Sequence, residues 1–121
     1  MRWKYDRASC LFFNPAGSLL GKVYSGKGTG LNNPLWEDVH DIGPIPKGSW
    51  SIGKFFNDPE KGPDVCHLTP YDGIETFGRS GFMIHGDNQL MNFSASEGCI
   101  VAARFIRVAI MNNACDILEV I

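Results

Sequence analysis

Residues 81–110, GFMIHGDNQLMNFSASEGCIVAARFIRVAI, decide the fold. Gly81 to His85 is an apolar run closed by a histidine, which reads as a buried strand that delivers His85 at its end. From Ala102 the period changes. Ala102, Phe105, Ile106, Ala109 and Ile110 fall at i, i+3, i+4, i+7 and i+8, the apolar stripe of a helix, with Arg104 and Arg107 off it. Asn112-Asn113 is a plausible stop for that helix. Between strand and helix lies a polar stretch that contains Ser96-Glu97-Gly98-Cys99.

Outward from this segment the chain reads as β. The 14 glycines and 7 prolines punctuate it often, and short strand-like runs lie between them. Trp3 to Tyr5 and Cys10 to Phe13 read as the arms of a hairpin. Leu19 to Tyr24 follows the turn at Asn14-Pro15-Ala16-Gly17. Ser25 to Pro34 is a loop by composition. It lacks the Gly-Lys-Ser/Thr ending and the following helix of a phosphate-cradling loop. Ile42 to Gly48 is a turn stiffened by two prolines, and Ser49 to Phe55 a strand with Trp50 and Ile52 on one face. Asn57 to Asp64 reads as a polar loop, Val65 to Thr69 as a short strand, and Asp116 to Ile121 as the closing strand. The expected architecture is mainly β, a single domain over residues 1–121, with one helix packed on it.

Composition narrows the function. With 121 residues, 44% hydrophobic and 20% charged, the chain has enough apolar material for one core. The net charge is −2, and the basic residues are scattered singly as on a solvated surface. No basic cluster marks a phosphate-tracking face, so nucleic acid is not an expected partner. No apolar run has transmembrane length, and the N-terminus lacks the apolar core of a secretory signal. The protein therefore stays in the cytosol or leaves by a route without a cleaved signal. The four cysteines, Cys10, Cys66, Cys99 and Cys115, form no C-x-x-C pair, so zinc spacings are absent. Cys10 with Cys115 is the first disulfide to consider in an oxidising compartment. Buried free thiols are the alternative.

Chemistry concentrates on Cys99 and His85. A cysteine attacks as its thiolate and needs a lowered pKa or a nearby base. Cys99 lies about one turn before the predicted helix, whose N-terminus would favour the thiolate. Gly98 permits a tight turn, and the N–H groups of Gly98 and Cys99 are candidates for an oxyanion hole. His85 would take the thiol proton and return it to a leaving amine. Its other nitrogen needs an acceptor, either Asp87 or a backbone carbonyl. The alternative is a buried Cys99 under the helix and a His85 satisfied by the backbone.

Ile84-His85-Gly86 followed by Ser96-Glu97-Gly98-Cys99 resembles the active-site signature of L,D-transpeptidases. The likeness extends over most of the chain. Trp3-x-Tyr5, Tyr24-Ser-Gly-Lys-Gly, Asn32-Asn-Pro34, Gly43-Pro-Ile-Pro-Lys-Gly48, Leu68-Thr-Pro70, Gly78-Arg-Ser-Gly-Phe-x-Ile-His-Gly-Asp87 and Ser96-Glu-Gly-Cys-Ile-Val101 resemble the small L,D-transpeptidase-like effectors of type VI secretion systems. The resemblance implies the β-rich fold of those enzymes, as a sandwich or barrel, and no cofactor. It implies peptidoglycan stem peptides as substrate, cut between the third residue and the D-alanine at position four. Hydrolysis, exchange with a free D-amino acid, and cross-linking are all open to such an enzyme. It further implies a secretion carrier, action in a rival's periplasm and a cognate immunity protein. Glu97 departs from the pattern: most of those enzymes carry a second histidine there, and a carboxylate lacks an imidazole's donor at neutral pH.

Other residues take a functional and a structural reading side by side. Arg79 is either a fork for a substrate carboxylate or a surface arginine. Ser96 either bonds near the thiolate or caps the following turn. Gly86, Tyr24, Ser25 and Asn33 are candidates for the substrate groove, the last three also for loop packing. His40 and His67 have no partner at metal-ligand spacing, so no metal site is expected. Trp3, Trp36 and Trp50 read as anchors of core or loop. Two rival functions remain. A papain-like wall amidase or endopeptidase, of phage type for instance, usually places Cys before His, the reverse of the order here. A peptidoglycan-binding module would leave the thiol inert.

Overall fold

The computed structural model describes residues 1–87, 96 and 98–121. Its strands are β1 (Trp3–Asp6), β2 (Leu11–Phe13), β3 (Leu19–Lys22), β4 (Tyr24–Ser25), β5 (Gly48–Ile52), β6 (Phe56–Asp58), β7 (Gly62–Pro70), β8 (Met83–His85), β9 (Ile100–Val101) and β10 (Ile117–Val120). The helix α1 spans Arg104–Met111, and short 3-10 turns occupy Gly28–Gly30 and Pro34–Trp36. The strands pair in the order β3-β2-β1-β10-β5-β7-β8-β9-β4, with β6 paired to β7 off this path. β3 and β4, at opposite ends of the path, are separated in the chain by Val23 alone, so the sheet nearly closes into a barrel. The expected mainly β domain with one packed helix is what the chain forms.

Alternation builds the core. Trp3 and Tyr5 on β1, Phe12 on β2, Trp50 and Ile52 on β5, Cys66 and Leu68 on β7, and Leu118 and Val120 on β10 are all buried at period two. Trp50 and Phe82 pack edge to face, their ring centroids 4.9 Å apart. Ile106 and Ile110 of α1 close one side of this cluster.

Four readings need correction. Asn57 to Asp64 is not a loop. Asp58 Oδ1 accepts from the N–H groups of Glu60 and Lys61, and that turn joins β6 to β7 as a hairpin. Its polar composition hid backbone pairing that needs no apolar side chain. The helix starts at Arg104, so the buried Ala102 precedes it and Phe105 is 61% exposed. The singly scattered arginines are not all solvated: Arg7, Arg79 and Arg107 are buried, each donating to backbone carbonyls of distant loops. Cys10 and Cys115 are not joined. All four thiols are free; Cys10 Sγ accepts from Asn32 Nδ2, and Cys115 Sγ lies against the carbonyls of Met1 and Ile117.

Candidate active site

The site lies where β8 and β9 run side by side in parallel, Ile84 opposite Ile100 and His85 opposite Val101. Ile84 and Ile100 turn into the core. Alternation gives His85 the other face, and continued one residue back from β9 it gives Cys99 the same face. Cys99 therefore immediately precedes the strand that pairs with the strand carrying His85. Cys99 is followed by the two residues of β9, not by the helix. The expected support from a helix N-terminus is therefore absent, because the dipole acts only within the first turn.

His85 is almost completely buried. Its Nδ1 lies 2.7 Å from the carbonyl oxygen of Gly86, so the nitrogen that donates there is Nδ1–H and the lone pair belongs to Nε2. Nε2 is buried and has no hydrogen-bond partner among the described residues. Burial holds the imidazole below the usual histidine range. The Gly86 carbonyl opposes that fall, the charges of Lys61 and Arg107 add to it, and Asp87 opposes it. The ring is therefore neutral at pH 7. Of the two acceptors open from sequence, the backbone carbonyl holds Nδ1. Asp87 Oδ1 accepts from the Tyr24 hydroxyl at 2.7 Å.

Arg107 sets the ceiling over this carbonyl. Its guanidinium donates to the carbonyls of Ala102, Pro63 and Asp64. It packs so closely on Gly86 that a Cβ there would stand 2.8 Å from Nη2. Any larger residue there would have to push the guanidinium aside. Arg107 escaped the sequence reading because it sits off the apolar stripe.

Ser96 organises the turn into Cys99. Its hydroxyl donates to the Cys99 carbonyl at 2.5 Å and accepts from the N–H groups of Gly26 at 2.9 Å and Gly98 at 3.1 Å. The turn-capping role is the one observed. It also corrects the oxyanion reading at Gly98, whose N–H already has an acceptor. Gly98 has φ +132, and a Cβ there would fall 2.4 Å from Nη2 of Arg79. Glu97 lies outside the described residues.

Arg79 is neither a surface residue nor an open fork. Nη1 donates to the carbonyls of Glu37 and Pro44, and Nη2 to that of Gly43. The guanidinium therefore fastens the 37–44 loop beside the Cys99 turn. Burial lowers its pKa, and the negative charges of Asp41, Cys99, Glu37 and Asp38 oppose that fall. Its charge is thus within electrostatic reach of the sulfur.

A cavity of about 280 Å³ opens at Cys99, lined by His40, Asp41, Lys61, Arg79, Phe82 and Cys99 with the glycines and serine between them. Cys99 Sγ lies 3.6 Å from the Gly81 carbonyl oxygen. His85 is not among the described residues of this lining. Neither are the proposed groove residues. Ser25 is fully buried, with its hydroxyl donating to the Gly98 carbonyl and accepting from Ile45 N–H. Asn33 caps the 3-10 turn at Pro34, accepting from Leu35 N–H. The Tyr24 hydroxyl donates to Asp87. Asp41 and Lys61 were missed because two separated loops bring them together with His40, and no local spacing announces that. Among the described residues no cluster could hold a metal ion and no helix is long and apolar enough to cross a membrane.

Comparison with known families places the chain. The family model described as the Tlde1 domain matches residues 21–120. No curated protein and no solved structure matches the chain.

Proposed function

The chain belongs to the Tlde1 family, type VI secretion effectors of the L,D-transpeptidase kind, and on that premise we propose that it cuts peptidoglycan stem peptides with Cys99 as nucleophile and His85 as base. The observation that carries the reading is Nε2 of His85, a buried lone pair with no partner among the described residues. Leaving such a group unsatisfied costs about 1–3 kcal/mol, and native proteins tolerate that chiefly where the group is used.

In this reading Nε2 takes the Cys99 proton. The thiolate attacks the carbonyl carbon of the third stem residue. The bond to the nitrogen of the fourth-position D-alanine breaks, and Nε2 returns the proton to that leaving amine. A thioester remains. Water, deprotonated by Nε2, then releases a tripeptide carboxylate and restores the thiol. A free D-amino acid attacking instead would give exchange. The Arg79 charge supports the thiolate, and the Gly86 carbonyl keeps the imidazole in the tautomer that accepts at Nε2. Delivery into a rival's periplasm and a cognate immunity protein belong to the same proposal.

The test is digestion of purified muropeptides by wild type and Cys99→Ala in parallel, read by mass spectrometry. Loss of one D-alanine from tetrapeptides, with wild type only, is the expected result. Added D-methionine replacing that alanine would add exchange. Unchanged muropeptides with correctly folded wild type would overturn the reading.

A further inference from the structure

The nucleophile accounts for one wall of the cavity. The charges on the other walls have no role yet. Arg79 is tied to three carbonyls, and His40 Nε2 lies 2.8 Å from the Phe77 carbonyl oxygen. Asp41 and Lys61 remain. Among the described residues neither side chain makes a hydrogen bond or an ion pair, not even with the other, although both line the same recess. Asp41 is held there at φ +64, a conformation that aspartate and asparagine tolerate better than most residues. Lys61 is held by the turn of the β6–β7 hairpin, where Asp58 Oδ1 accepts its N–H.

Beside the carbonyl-bound Arg79, Lys61 and Asp41 put opposite charges on one recess and select by exclusion as well as attraction. A simple carboxylate drawn to Lys61 would meet Asp41, and a simple ammonium drawn to Asp41 would meet Lys61. A group that carries both charges on one carbon satisfies both walls. The volume, about 280 Å³, is some nine times the roughly 30 Å³ of a liquid water. That leaves room for an amino-acid head.

We propose that the recess beside Cys99 binds the zwitterionic head of an α-amino acid, its carboxylate on Lys61 and its ammonium on Asp41. The inference rests on the reading of Cys99 as acting on stem peptides. Two reactants carry such a head. One is a donor stem whose third residue is meso-diaminopimelate, with ammonium and carboxylate at the end of its side chain. The other is a free D-amino acid acceptor.

Calorimetric titration of the full Cys99→Ala chain separates the sources without turnover. The probes are L-Ala-γ-D-Glu-meso-diaminopimelate-D-Ala, the same tetrapeptide with lysine third, and D-methionine. For a donor site, the diaminopimelate peptide binds at least about tenfold tighter than the lysine peptide, the effect of one charge-assisted contact. Adding Lys61→Gln or Asp41→Asn removes most of that ratio. For an acceptor site the two tetrapeptides bind alike, and D-methionine weakens with either substitution. If no probe responds to Lys61 or Asp41, or none binds a chain with native circular dichroism, the inference is overturned. Wild-type digestion of both peptides keeps the two proposals apart. A wild type that cuts neither, with binding discrimination intact, removes the chemistry and leaves the recess. Turnover with no role for Lys61 or Asp41 in binding does the reverse.

Discussion

Cys66 and Cys99 flank the same strand and have opposite characters. Cys66 sits on β7 opposite Ile84 of β8, and Ile84 faces Ile100 of β9, one residue after Cys99. Cys66 points into the core, where burial pushes its thiol up to about 12, partly opposed by a hydrogen bond with the Ile84 backbone. Cys99, one position out of step with that inward row, reaches a cavity and a guanidinium charge. A single step of strand alternation therefore separates an inert thiol from a candidate nucleophile.

The largest effect should come from exchanging these thiols for alanine. Cys99→Ala should lower D-alanine release by roughly 10³-fold or more with little change in Tm. Cys66→Ala should keep turnover and lose about 1–2 kcal/mol of stability from the cavity it leaves. Comparable turnover loss in both variants, at equal folded fraction, would break the contrast. Next in size is Arg79→Gln. It strips donors from the carbonyls of Glu37, Gly43 and Pro44 and should destabilise by about 3 kcal/mol. In the folded fraction, iodoacetamide should label Cys99 more slowly than in wild type while Cys66 stays unlabelled. Unchanged Cys99 labelling would separate Arg79 from the thiolate.

Smaller effects sharpen the His85 side. Because the folded His85 pKa is depressed, the acid limb of kcat/KM should lie below roughly 6.5, and activity should be flat above it until other groups titrate. The unfolded chain takes this proton first as pH falls. Stability attributable to His85 is thus full above about 6.5 and is lost as pH drops through the folded value. Urea titrations of wild type and His85→Gln should diverge in that window, and parallel curves would count against the assignment. Least of all, Asp87→Asn should cost under about tenfold in rate, since Gly86 and not Asp87 holds Nδ1. A loss near that of Cys99→Ala would make Asp87 the essential partner.

The β character, the opening hairpin, the strand ending in His85 and the single helix were legible because each rests on local periodicity. What stayed hidden is non-local. Two residues of β9 are too few for any period, so Cys99 was read against the helix instead of a strand. Arg79 and Arg107 are charged and off-pattern, yet loop carbonyls far along the chain bury them. Asp41 and Lys61 meet at the cavity only because the 37–44 loop and the β6–β7 hairpin converge there. The sequence singles out Cys99 and His85 as candidates. It does not show the loops that line the cavity at Cys99.

The last strand is not at an edge. β10 lies between β1 and β5, and Ile121 both donates to the Tyr5 carbonyl and accepts from Arg7. The middle of the sheet therefore stays empty until residues 117–120 are in place, and a chain without them lacks the framework that carries the β8–β9 site.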